Sequence, residues 1–125
     1  MDDIENTNGD IPMKIGIFLD DERNIEDAFW MTYDESIQWL IVRTYKDFMM
    51  VIQTTKIEDC VISFDHDLQD FKDCGGEWTG YDCVKFLVEF CMDRGFAIPK
   101  TYYHTQNPVG KENMKCYIEN AKKFM

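Results

Sequence analysis

The feature that most constrains this chain is a nine-residue stretch, Cys60 to Leu68, which reads CVISFDHDL. Its first half is apolar and rich in β-branched residues, the composition of a buried strand. Its second half turns at once to Asp65, His66 and Asp67. Three adjacent ionisable groups at a strand end pack poorly and must be solvated, paired or bound to a cation. In open α/β sheets the carboxyl ends of parallel strands form the ligand crevice. These three residues are therefore expected at the centre of a site.

The same device recurs along the chain. Met13 to Leu19 (MKIGIFL) reads as a buried strand and runs directly into Asp20, Asp21, Glu22 and Arg23. Adjacent aspartates repel one another unless a cation lies between them, although a solvated helix N-cap is the plainer reading of that pair alone. A second strand is expected over Trp39–Thr44 and a third over Asp59–Phe64. A fourth, over Lys100–Thr105, reaches His104. Between them the helix signals are unequal. One short helix is expected around Glu26–Met31, then a loop containing Trp30, Tyr33 and Asp34. Thr44 with Asp47 makes a capping box ahead of the apolar stripe Phe48, Val51 and Ile52. Thr79 with Asp82 caps a helix from Gly80 to Arg94, which Gly95 stops. Asn107-Pro108 opens a last helix, an N-cap followed by proline at the first helical position. Gln69–Thr79 has turn composition, with Gly75-Gly76 inside it, and reads as a surface loop, with a lid over the site as the alternative. Alternating strands and helices argue for a parallel sheet with covering helices.

With 125 residues the chain is one domain. Residues 1–12 are polar and expected to form a flexible acidic tail, leaving 13–125 as the folded unit. A net charge of −11 argues against non-specific attachment to nucleic acid, duplex DNA included, and to anionic membrane, while leaving room for a local phosphate site. Five cysteines, an odd count without CxxC, suggest neither a disulfide framework nor a thiolate zinc site. Reduced thiols fit a cytoplasmic location. No segment has the length and composition to span a bilayer.

In a parallel sheet all strands finish on one edge. If the first, third and fourth strands are neighbours, Asp20, Asp21, Asp65, His66, Asp67 and His104 share a crevice, and these include both histidines of the chain. Clustered carboxylates suit magnesium or manganese, while two nearby imidazoles also admit zinc or iron. The helix starting after Asn107 offers free N–H groups to an anion. Gly110 allows close approach to the backbone, Lys111 adds charge, and Arg23 can act as a clamp. Carboxylates for a metal, donors for a phosphate and imidazoles for protons together point to phosphoryl or phosphodiester chemistry.

At these residues the sequence resembles a known family. The matching runs are Leu19–Arg23 (LDDER), Ser63–Leu68 (SFDHDL), Thr79–Asp82 (TGYD) and His104–Met114 (HTQNPVGKENM). They resemble the cyclic-phosphate-processing receiver-like domains, small proteins common in phages and bacteria. The resemblance implies a three-layer receiver-like (flavodoxin-like) α/β fold, with about four parallel strands in the order 2-1-3-4, truncated after its fourth helix. It implies magnesium or manganese held by Asp20, Asp21 and Asp65. Read together with the residues, it implies a phosphoesterase in which His66 and His104 move protons and Asp65 and Asp67 share the catalytic centre. Arg23, Asn107, Gly110 and Lys111 would hold the phosphate. The substrate would be a 2′,3′-cyclic RNA end or a cyclic nucleotide. The location would be cytoplasmic, the host's if the chain is phage-encoded, and a homodimer is compatible with it.

The departures from an ordinary receiver are also specific. The fifth strand and its lysine are missing, Lys111 being the available substitute, and both histidines are additions. A phosphorylation or metal switch at Asp65 is thus one alternative. A nucleotide-sequestering protein, with Trp30 or Trp78 stacked on a base, is the other.

Overall fold

A computed structural model describes residues 14–125; the expected acidic tail lies outside the described residues. Four parallel strands form the main sheet: β1 (Lys14–Leu19), β2 (Ile37–Val42), β3 (Cys60–Phe64) and β6 (Lys100–Tyr103), in the order β2-β1-β3-β6. Counted within that sheet, this is the expected 2-1-3-4. Three helices follow strands, α1 (Tyr45–Thr54), α2 (Gly80–Arg94) and α3 (Pro108–Lys122). A short antiparallel hairpin, β4 (Asp67–Phe71) with β5 (Glu77–Thr79), makes a second sheet.

Local chemistry explains most boundaries. Thr44 Oγ1 accepts from Asp47 N at 3.1 Å and starts α1. The Asp82 carboxylate accepts from Thr79 N at 2.8 Å at the start of α2, and Gly95 ends that helix with φ +72°. Asn107 Oδ1 accepts from Gly110 N at 2.9 Å, with Pro108 first in α3. These three starts are the ones the sequence signals indicate.

All three helices lie on one face of the sheet. Phe48 and Ile52 of α1, Val84, Leu87 and Val88 of α2, and Met114 and Ile118 of α3 share one core with Ile17, Leu19, Ile62 and Phe64. The period of two turns Gly16, Phe18, Trp39 and Ser63 to the opposite face. There the covering layer is irregular chain rather than helix. Tyr33 lies 4.8 Å from Trp39 and 5.0 Å from Tyr102, ring to ring, and Phe18 meets Trp39 edge-on. Gly16 is required for this packing, because a Cβ there would stand 2.5 Å from the Trp39 ring.

Four expectations are corrected. The helix around Glu26–Met31 is only a 3-10 turn, Ile25–Asp27, so α3 is the third helix and not the fourth. Its residues build no apolar stripe, and the aromatic face takes the chain instead. The second strand is Ile37–Val42 rather than Trp39–Thr44, since Thr44 is already the N-cap of α1. The fourth ends at Tyr103, two residues short of Thr105. Gln69–Thr79 is not a free loop but the hairpin. Trp78 stacks on Tyr45 at 4.0 Å with the rings parallel, and Asp70 Oδ2 accepts from Tyr45 N at 2.9 Å. The stretch is thereby docked on α1.

Candidate functional site: a buried acid–imidazole cluster under a cleft

Because the strands are parallel, their carboxyl ends meet on one edge. The ladder continues a step past each strand: Asp65 N donates to Leu19 O and His104 N to Phe64 O. This registers Asp20, Asp65 and His104 side by side. All three are buried, and one donor atom from each lies within 4.8 Å of the others.

Asp20 is fully buried, and both its oxygens are engaged. Oδ1 accepts from Glu22 N and Arg23 N at 2.9 and 2.8 Å. Oδ2 accepts from His104 Nε2 at 3.0 Å and from Arg23 Nη1 at 3.3 Å. Burial alone would raise this carboxyl's pKa. The bonds from His104 and from the two backbone N–H groups outweigh it and hold the group well below the usual carboxylate range.

His104 is the middle of a longer chain. Its Nδ1 lies 2.7 Å from Ser63 Oγ, which lies 2.6 Å from Tyr33 OH. With Asp20 ionised, Nε2 carries the proton it donates to Asp20. Nδ1 is then the atom that accepts from Ser63, and Ser63 accepts from Tyr33. Every donor in the chain has an acceptor. The imidazole ring stacks on Phe18 at 4.2 Å, and Trp30 Nε1 donates to the His104 carbonyl at 3.0 Å.

Above this floor is an open cleft of about 530 Å³. Asp21, Glu22, Asp65 and Asp67 line it against the single cation Arg23, with Thr105, Gln106 and Asn107 on the far wall. Asp65 is pushed above the usual carboxylate range by burial first and by the charge of Asp20 second, and Asp21 likewise. A divalent cation beside Asp20 and Asp65 would offset both costs, while the expected third ligand, Asp21, stands at the cleft wall outside that close group. The oxygens of Asp20 and Asp65 are the hard donors that magnesium or manganese takes, and His104 could join them only by giving up one of its bonds, to Asp20 or to Ser63.

The other sequence candidates fall into three groups. Arg23 bridges the two walls, from Asp20 to Gln106 Oε1 at 3.4 Å. His66 stands just behind the cleft, its Nδ1 3.0 Å from Asp67 Oδ1, while Asn107 Nδ2 donates to Asp67 Oδ2 at 3.1 Å. Gly110 and Lys111 are not where a phosphate clamp needs them. A Cβ on Gly110 would meet His66 Cγ at 2.4 Å, so the room this glycine makes is filled by the imidazole. Pro108 has no N–H and that of Gly110 is taken by the cap, so the helix start offers an anion little. Lys111 is exposed on α3 and does not line the cleft.

Sequence reasoning missed Ser63, Tyr33, Thr105 and Arg43. Thr105 lines the cleft with Asp65, and its Oγ1 accepts from Asn107 N at 3.2 Å. Arg43 Nη1 donates to Arg23 O at 2.7 Å and pins the β1 loop. Ser63 carried a signal, a lone hydroxyl inside a wholly buried strand. Nothing local marks Tyr33. Neither tryptophan is free to stack on a base: Trp78 has Tyr45 on one face and Lys72 Nζ 4.5 Å over the other, and Trp30 lies under Arg23.

The family model described as the cyclic-phosphate processing receiver domain matches residues 15–120. No curated protein and no solved structure matches the chain. Among the described residues no helix is long and apolar enough to cross a membrane.

Proposed function

Because the chain belongs to the cyclic-phosphate processing receiver domain family, we propose that it is a metal-dependent phosphoesterase that opens a cyclic phosphate, either a 2′,3′-cyclic RNA end or a cyclic nucleotide. The observation that carries this reading is the buried Asp20–Asp65–His104 cluster under an open acidic cleft. A phosphate dianion or diester entering a cleft with four carboxylates and one guanidinium would be repelled without a cation. Magnesium or manganese, held by Asp20, Asp21 and Asp65, would polarise the phosphate and make a water more acidic.

The chain's own residues do the remainder. Water adds to phosphorus, one ring P–O bond breaks, and the freed oxygen takes a proton, leaving an acyclic phosphomonoester. Arg23, anchored at both walls, orients a non-bridging phosphate oxygen. With Nδ1 tied to Asp67, His66 keeps Nε2 for the proton, as a general acid–base group does. His104 has no exposed surface and does not touch substrate. It acts through Asp20, holding that carboxylate ionised and oriented.

Incubation with magnesium or manganese and a panel of cyclic mononucleotides, cyclic dinucleotides and cyclic-phosphate-ended RNA, read by mass spectrometry, tests this. Metal-dependent opening of one class that Asp65→Asn abolishes supports it. No turnover of any class with metal bound sinks it. A stable mass increase on Asp65 from a small phosphodonor would instead favour the receiver-like switch, which the place of Asp65 at the cleft wall leaves chemically open.

A further inference from the structure

We propose that the flank formed by β6 and the adjoining face of α3 holds the backbone of a single-stranded RNA whose 3′ end lies in the cleft. This deepens the cyclic-phosphate reading and rests on it only for the end that enters the site.

The end of the chain reverses the charge of the rest. Residues 100–125 hold five lysines and two glutamates, with no arginine or aspartate, in a chain whose net charge is −11. Three of these lysines, Lys100, Lys115 and Lys122, line a groove of about 480 Å³ between β6 and α3, together with Tyr103 and a single carboxylate, Glu119. Lys111 stands one turn before Lys115, so helical spacing sets Lys111, Lys115 and Lys122 on one flank. That flank begins at the cleft, because Asn107 and Pro108, which start α3, also line the cleft. With 15 residues, α3 is about 22 Å long, enough for several nucleotides. β6 is the end strand of the sheet, so no described strand covers the groove from that side. A cationic groove that tracks the phosphate backbone binds a single strand without sequence preference.

Charge complementarity selects the occupant. Among the described residues the rest of the chain carries many more acidic than basic side chains and disfavours a polyanion, which makes this track a favoured approach to the cleft. A second copy docked two-fold on the same flank would set like charges opposite one another. An acidic peptide added to the β6 edge is the competing occupant.

Fluorescence anisotropy of 5′-labelled RNAs of 2 and 12 nucleotides ending in a 2′,3′-cyclic phosphate, with a 12-mer ending in a 3′-hydroxyl, tests the proposal. Wild type should bind both 12-mers at least about tenfold more tightly than the dinucleotide at low salt. Lys115→Gln/Lys122→Gln should lose most of that advantage. Its salt slope should fall by about 0.7 for each charge removed. Equal binding of 2 and 12 nucleotides, an unchanged advantage in the variant, or binding of a poly-glutamate peptide in place of RNA would overturn it. No preference between cyclic and hydroxyl ends, with the length advantage intact, would count against the cyclic-phosphate reading and leave the track standing.

Discussion

His104 Nε2 lies 3.0 Å from Asp20 Oδ2, a contact that joins the end of β6 to the end of β1 across the intervening β3. It is made 84 residues apart in sequence, between two side chains with no exposed surface. Behind it Ser63 and Tyr33 extend the chain of bonds to the aromatic face of the sheet.

Ser63→Ala removes the middle of this chain and leaves His104 Nδ1 without its partner. The buried site makes the cost of an unpaired group the relevant magnitude, about 1–3 kcal/mol. Urea unfolding should show that loss, with Tyr33→Phe costing less because Tyr33 is only half-buried. A Ser63→Ala protein as stable as wild type would mean that the chain contributes nothing.

Gly110→Ala sets two effects against each other. In a helix interior alanine gains up to about 1 kcal/mol over glycine. Here its Cβ would stand 2.4 Å from His66 Cγ, and overpacking costs about 1–3 kcal/mol. The expected result is a net loss of stability together with displaced His66 resonances in the NMR spectrum. A stabilised protein with unmoved His66 signals would show that the ring gives way freely.

The cation's effect should depend on pH in a definite direction. Asp65 and Asp21 hold their protons more tightly in the folded chain than in the unfolded one. That preference favours the fold below the ordinary carboxylate value of 3.8 and is lost as pH rises through the raised values. Above them, both groups are ionised beside Asp20. Magnesium then offsets their repulsion, and at 100 times its dissociation constant it adds about 2.7 kcal/mol. Thermal unfolding should shift upward by several degrees at pH 7.5 and by much less near pH 4.5, where protons compete. An equal shift at both values would place the ion elsewhere.

Trp78→Ala should release the β4–β5 hairpin from Tyr45 of α1. Limited proteolysis is expected to cut near Gly75 and Gly76 faster in the variant than in wild type. Identical cleavage rates would show that the bond from Tyr45 N to Asp70 suffices to dock it.

Much of this protein was legible from local chemistry. The strand ends at Asp20, Asp65 and near His104, the caps at Thr44, Thr79 and Asn107, and the stop at Gly95 each depend on residues within a few positions of one another. Parallel pairing then brings the strand ends to one edge whatever the details of packing. The family's motifs add the strand order, and the order found agrees with it.

The tertiary structure decided what required side chains distant in sequence. It turned Glu26–Met31 from a helix into a covering layer, because Tyr33, Trp39 and Tyr102 bury more together than a short, stripeless helix would. It gave Gly110 to His66 instead of to a phosphate and left Lys111 on a flank. It also placed His104 behind Asp20 rather than in the cleft. Burial and hydrogen-bond saturation are properties of the whole packed chain, so the residues that would meet a substrate were settled only when the sheet closed around them.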